Sequence, residues 1–174
     1  MGTSRSISRA LVGAVAVITL AGCAGDSPVA TQGPEPSHSL LGAVLDATLL
    51  RCSALPASSV TAVIGSSGGT ITAGPHRLVV PPGALAGPVA ITAEVVSGTV
   101  NSMRFSPEGL RFAVPASLTM SYRNCPLARL LPLKKIAYTS ELLSILELLR
   151  SVDHLGSSEV TGQLEHFSRY AIAY

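Results

Sequence analysis

The chain has no tryptophan, and only three phenylalanines and four tyrosines among its 174 residues. A sugar-binding face that stacks rings on aromatic side chains has little here to draw on. Charge is scarce too. Only 13% of residues are Asp, Glu, Lys or Arg, and the formal net charge is +2. That excludes the basic footprint a nucleic-acid binder needs. The same low charge, with 47% hydrophobic residues, excludes a disordered chain, which lacks apolar surface to bury. The four histidines (His38, His76, His154 and His166) show no metal-ligand spacing, and no glycine-rich phosphate loop precedes a helix pattern. No metal or cofactor is therefore expected. Glycine and proline are not scarce. Sixteen Gly and twelve Pro, spread along the chain, argue against a helix bundle. The length suits one ordinary domain with some chain to spare.

The spare chain lies at the start. Arg5 and Arg9 precede an uncharged apolar run, Ala10 to Leu20, which at about 11 residues is too short for the roughly 20 that cross a bilayer. This is the pattern of a signal peptide and belongs outside the fold. The run ends in Leu20-Ala21-Gly22-Cys23, which resembles a bacterial lipobox. Small residues at 21 and 22 admit the peptidase, and only a thiol at Cys23 can take the thioether-linked lipid. Residues 1–22 are then the leader, and Cys23 becomes the acylated first residue of the mature chain. Two or three acyl chains anchor stably where one does not. By the same resemblance, Ala24, in place of the Asp that retains lipoproteins in the inner membrane, points to the outer membrane. Without Arg5 and Arg9, ten basic residues balance ten acidic ones, so the slight basicity belongs to the leader.

If Cys23 is acylated, Cys52 and Cys125 remain as an even pair in an exported, oxidising setting. The alternatives are a reactive thiol or a metal ligand. Neither cysteine has a C-x-x-C neighbour, and no histidine lies within a few residues of either, so a disulfide is the better reading.

Residues 24–39, rich in Gly, Pro and Ser, offer nothing to pack and read as a flexible tether. Leu40, Leu41, Val44, Leu45, Thr48 and Leu49 then recur at helical spacing, with Ser39 as a possible cap. A helix lying on a membrane would carry Lys or Arg on its polar face. This one offers Asp46 alone, so packing against the domain is expected. Residues 23–57 thus form a tether with a short apolar segment, and 58–174 form the domain.

From Ser58 onward the pattern is strand and turn. Val60, Ala62 and Ile64 alternate, and Gly65 to Gly69 is a turn. Residues 70–72 and 76–80 form a hairpin around Gly74-Pro75. Val89, Ile91, Ala93 and Val95 alternate again. Residues 105–110 read as a turn, which places Phe105, alone among the aromatics, near a loop. Leu118, Met120 and Tyr122 share one face of a strand over 116–122, and 135–139 is another. Glu141–Arg150 is ambiguous: its leucines favour a helix, while Leu146, Leu148 and Arg150 keep a strand's alternation. Val160, Gly162 and Leu164 alternate, as do Tyr170, Ile172 and Tyr174. Short strands separated by Gly/Pro turns predict an all-β antiparallel sandwich of about 8–10 strands, preceded by the signal peptide, the tether and the short apolar helix.

Several stretches resemble a known family. Gly68-Gly69-Thr70 leads to Leu78-Val79-Val80-Pro81-Pro82-Gly83-Ala84-Leu85. Then come Pro107-x-Gly109-x-x-Phe112-x-x-Pro115 and a closing His166-Phe167-Ser168-x-Tyr170-Ala171. This order, over roughly 60–174, resembles the ZU-five domain, named for zonula occludens and the uncoordinated-five netrin receptors. Ankyrins and the death-domain protein that assembles the PIDDosome also carry it. The resemblance implies a β-sandwich used for binding and assembly. With the lipobox it implies a partner in the envelope, a protein or a polysaccharide, and the membrane itself through Cys23. Animal partners do not carry over to a bacterial lipoprotein.

The resemblance also marks His166, Phe167 and Ser168, because some ZU-five proteins cut themselves between Phe and Ser of this motif. The Ser168 hydroxyl would attack the Phe167 carbonyl, a base such as His166 would take its proton, and water would hydrolyse the ester. Independently, Phe167 has the parity opposite to the alternating residues on either side of it, so burying it requires a bend or bulge. The competing reading is a strand turning a sandwich corner, with Phe167 in the core and His166 and Ser168 bonded to nearby backbone. No multiple-turnover catalysis is expected. Gly65-Ser66-Ser67-Gly68-Gly69 fits G-x-S-x-G only in letters, because a strand pattern follows it where the hydrolase elbow needs a helix. Asp153-His154 reads as a solvated loop, not as part of a triad.

Overall fold

In the computed structural model, which describes residues 47–174, period-two alternation becomes strand wherever one face can be buried. Thirteen strands form among the described residues: β1 (Arg51–Leu55), β2 (Ser58–Ile64), β3 (Gly69–Ala73), β4 (His76–Val80), β5 (Val89–Val96), β6 (Gly98–Val100), β7 (Ser102–Ser106), β8 (Arg111–Ser121), β9 (Lys135–Thr139), β10 (Ile145–Leu148), β11 (Ser151–His154), β12 (Glu159–His166) and β13 (Arg169–Ala173). Their pairings are all antiparallel. One sheet runs β10-β9-β13-β7-β5-β2 and the other β11-β12-β8-β4-β3, with β1 and β6 as a two-stranded ribbon. The two larger sheets pack as a sandwich. Between them lie Ile91, Ala93 and Val95 of β5, Leu118 and Met120 of β8, Val160 and Leu164 of β12, and Ile136 of β9. At Gly162 the sheets come so close that an added Cβ would sit 3.1 Å from the Ile136 side chain.

The sandwich, the hairpin about Gly74-Pro75 and the turn at 65–69 agree with the sequence reading. The strand count exceeds it, because short pieces such as β1, β6 and β11 carry too few residues to show a period. Phe105 adjoins the turn but does not stand in it: it lies near the end of β7, buried, with Met103 on the same side. The Ser106-Pro107-Glu108-Gly109 turn signal follows it at once and hides the strand. The Glu141–Arg150 ambiguity resolves into a turn followed by β10. Leu143 takes a left-handed φ of 63°, which ends any helix there. The apolar segment read as a helix lies, up to Asp46, outside the described residues. At its end Thr48 and Leu49 are extended, not helical: Thr48 exchanges both backbone hydrogen bonds with Tyr174, and Leu49 bridges to Ala173. Pairing therefore begins ahead of Ser58.

Cys52 and Cys125 form a disulfide with Cα atoms 4.0 Å apart. It joins β1 to the turn after β8. Asn124 lies beside it, donating to Ser53 O and bonding Asn101. The motif glycines have a packing reason. Gly68 has a φ of 72°, and a Cβ there would meet Val80 O at 2.3 Å. The Gly-Gly-Thr turn thus presses directly on the Val80-Pro81-Pro82 backbone, and no residue but glycine fits.

Candidate functional site

The segment His166-Phe167-Ser168 is where the chain changes sheets. β12 belongs to the five-stranded sheet, and β13, two residues later, to the six-stranded one. The parity break in the sequence is this crossing. The register of β12 against β8 slips between Leu164 and His166, a bulge that turns the strand. Phe167 is then wholly buried. Its ring stacks on Phe105 at 5.0 Å and meets the edge of Phe112 at 4.9 Å.

Both carbonyls and the Phe167 amide around the Phe167–Ser168 bond are hydrogen-bonded. Phe167 N–H donates to Leu110 O at 2.8 Å, Gly109 N–H donates to Phe167 O at 2.9 Å, and Phe105 N–H donates to Ser168 O at 3.1 Å. The Tyr170 hydroxyl donates to His166 O at 2.6 Å, and burial pushes that phenol's pKa well up, so it stays a donor. Two stretches that the sequence showed separately, Pro107-x-Gly109 and His-Phe-Ser, thus hold one another. Their contact was not legible from either alone.

The His166 ring packs edge-on against Tyr138 at 5.1 Å, and its Nδ1 lies 3.4 Å from Phe167 O. No hydrogen bond joins it to Ser168. A proton on Nδ1 would therefore serve the carbonyl that cleavage attacks, together with Gly109 N–H, but the imidazole does not stand where it would take the Ser168 proton. Backbone strain of the left-handed kind is also elsewhere. Leu143 and Ser158 are the non-glycine residues with positive φ among those described. Arg169, buried next to Ser168, fastens the start of β13 by donating to Ser102 Oγ and to Glu141 O. The corner so assembled is well suited to hold a strand in place. It brings His166, Phe167 and Ser168 together as neighbours without arranging a base for the serine.

No family model matches this chain, and no curated protein does. The residues therefore carry the interpretation by themselves. Among the described residues no cluster of three or more His, Cys, Asp or Glu side chains could hold a metal. All seven aromatic side chains fall within the described residues: Phe105, Tyr122, Phe167 and Tyr170 are buried, and Phe112, Tyr138 and Tyr174 are half-buried.

At the other end of the sandwich, Asp153 is not part of a solvated loop. It lies in β11 with a carboxylate 1% exposed, 3.9 Å from the equally buried Lys134 ammonium. It accepts from the Tyr122 hydroxyl at 2.6 Å and from Lys134 N–H at 2.9 Å. Lys134 Nζ lies 5.3 Å from the centre of the Tyr122 ring. A buried charge pair satisfied in this way fixes geometry more than it adds stability. Sequence reasoning missed it because the partners lie 19 and 31 residues from Asp153, with no local signal linking them. His154, its neighbour, points outward and is exposed.

Proposed function

We propose that this chain is an exported protein of the cell envelope, anchored through a lipid on Cys23, whose sandwich serves a structural or protein-binding role. The observation that carries the reading is the Cys52–Cys125 bond. It accounts for two of the three cysteines and fits an oxidising compartment. The third is Cys23, at the end of a leader-like apolar run. The ZU-five-like order of motifs supports an assembly role. Gly68 and Phe167 act in packing and Gly109 donates its N–H to Phe167 O, so the motif residues describe a scaffold. The partner in this reading is an envelope protein or polysaccharide, with the outer membrane as the place of anchoring.

Expression with a palmitate analogue tests the anchor. The wild-type chain should take the label and fractionate with membranes, and Cys23→Ser should accumulate as an unlabelled precursor. A Cys23→Ser chain that still matures and labels would overturn the proposal.

A further inference from the structure

The loop between β8 and β9 carries three leucines that nothing in the described structure covers. Leu127, Leu130 and Leu133 are 61%, 82% and 64% exposed. They recur at intervals of three around a one-turn 3-10 helix, Ala128–Leu130. Leu127 and Leu130, three apart across that turn, eclipse on one side of it, and Leu133 follows after the chain extends at Leu131. Leu155, in the turn between β11 and β12, is exposed at the same end of the sandwich, because Glu159 pairs with Ser121 just before the loop. Four outward leucines thus lie at one end of the sandwich, and exposed apolar groups gathered in one place mark a contact surface.

Two further features single out this end. First, the described chain begins here. Thr48 pairs with Tyr174, Ala173 pairs with Lys135 just past the leucines, and Cys52 is bonded to Cys125, two residues before Leu127. Second, the exposed charges here are cationic. Arg129 lies between Leu127 and Leu130 in the loop, and Lys135 follows Leu133; both are exposed. Of the acids, Asp153 is taken up by Lys134, and Glu159 bridges to Arg123 at 3.4 Å. A cleft of about 430 Å³ opens between Arg123, Arg129, Ser157 and Ser158. Leucines rimmed by Arg and Lys are the composition that sits at a bilayer interface, with apolar groups among the acyl chains and cations at the headgroup phosphates.

We propose that the leucine loop is a second membrane contact. It dips Leu127, Leu130, Leu133 and Leu155 into the leaflet that holds the lipid on Cys23, with Arg129 at its anionic phospholipid headgroups. This rests on the anchoring reading. It adds an orientation: the 126–133 end faces the membrane, and the β9–β10 turn, where Leu142 is 91% exposed, faces away. The loop is held out for this task from below. The Lys134–Asp153–Tyr122 cluster and the disulfide fix both of its ends, while buried Ala128 closes its inner side.

The absence of tryptophan makes the orientation directly measurable. Leu130→Trp and Leu142→Trp each introduce a sole tryptophan at a solvent-facing position. Each lipidated mature chain is reconstituted into vesicles of phosphatidylethanolamine and phosphatidylglycerol, with and without bromine on the acyl chains. Leu130→Trp should emit at shorter wavelength and lose most of its emission to the brominated lipid, and Leu142→Trp should do neither. A chain that floats with the vesicles while both tryptophans emit alike, as in water, overturns the loop contact and leaves the anchor standing. A blue shift at Leu130→Trp without bromine quenching means a protein surface or second copy covers the loop, and also overturns the contact. A chain that carries no lipid and does not float overturns the anchoring reading itself.

Discussion

Acid should weaken this sandwich through one residue. His76 opens β4 and is completely buried. Its Nδ1 accepts the Ser121 backbone N–H at 3.1 Å, and its Nε2 has no partner. A proton on Nδ1 would turn that acceptor into a second donor facing Ser121 and place a charge in a buried site. Burial accordingly lowers the imidazole pKa from its ordinary 6.5 to about 4. Between those values the unfolded chain binds the proton and the folded chain does not. Stability from this group is thus complete above about pH 6.5, declines as pH falls, and stops declining below about pH 4, where both states are protonated. At about 1.36 kcal/mol for each pH unit that separates the two values, the whole loss is on the order of 3 kcal/mol, against the 5–15 kcal/mol a domain of this kind has. The matched variant is His76→Asn, whose Oδ1 reproduces the acceptor but does not titrate. Urea unfolding from pH 7 to pH 4 should show the wild type losing about 3 kcal/mol more than the variant, a relative midpoint shift of about 1–3 M. Titrations shared by the two proteins cancel in the difference. Parallel pH profiles for the two would refute the assignment.

Three further outcomes follow. Replacing both Cys52 and Cys125 by Ala removes a crosslink across 73 residues and should cost about 4 kcal/mol in the chain-entropy account, seen as a lowered urea midpoint; dithiothreitol should reproduce the loss in the wild type and leave the variant unchanged. Phe167→Ala should cost about 3–5 kcal/mol, because it empties the space between Phe105 and Phe112; a cost under 1 kcal/mol would mean that the corner is not packed as described. Denaturing mass spectrometry of the mature chain after long incubation at neutral pH should show an intact mass, since His166 faces the Phe167 carbonyl and not Ser168. A seven-residue peptide, Ser168–Tyr174, that vanishes in Ser168→Ala would show cleavage instead. That peptide would stay in place on a native column, held by β7, β9 and Thr48–Leu50.

The parts of the fold that could be read from the sequence are those where one face of a strand is buried along its length. β5, β8 and β12 alternate cleanly because their neighbours lie on both sides and the facing sheet covers them. β10 could not be read. It is an edge strand, so its leucines are only half-covered and need no strict period, while their helix propensity speaks for the other state. The Phe167 parity break was legible and meant a change of sheet, which a local pattern can reveal because the geometry is local. The roles of Gly109 and Asp153 were not legible, because each depends on partners far away in the chain. Val60 shows the same limit in reverse: it alternates with Ile64, yet remains exposed at the outer edge of β2, where no strand covers it.

The anchoring reading is tested most directly by the mass and sequence of the mature N-terminus. The chain is taken from membranes of cells that express it from its own leader, digested, and its first peptide fragmented. The account predicts a peptide beginning at Cys23 with a diacylglyceryl thioether on its sulfur, with or without an acyl group on its amine. A first peptide that begins at Met1, or one that holds Cys23 as a free thiol, would contradict it.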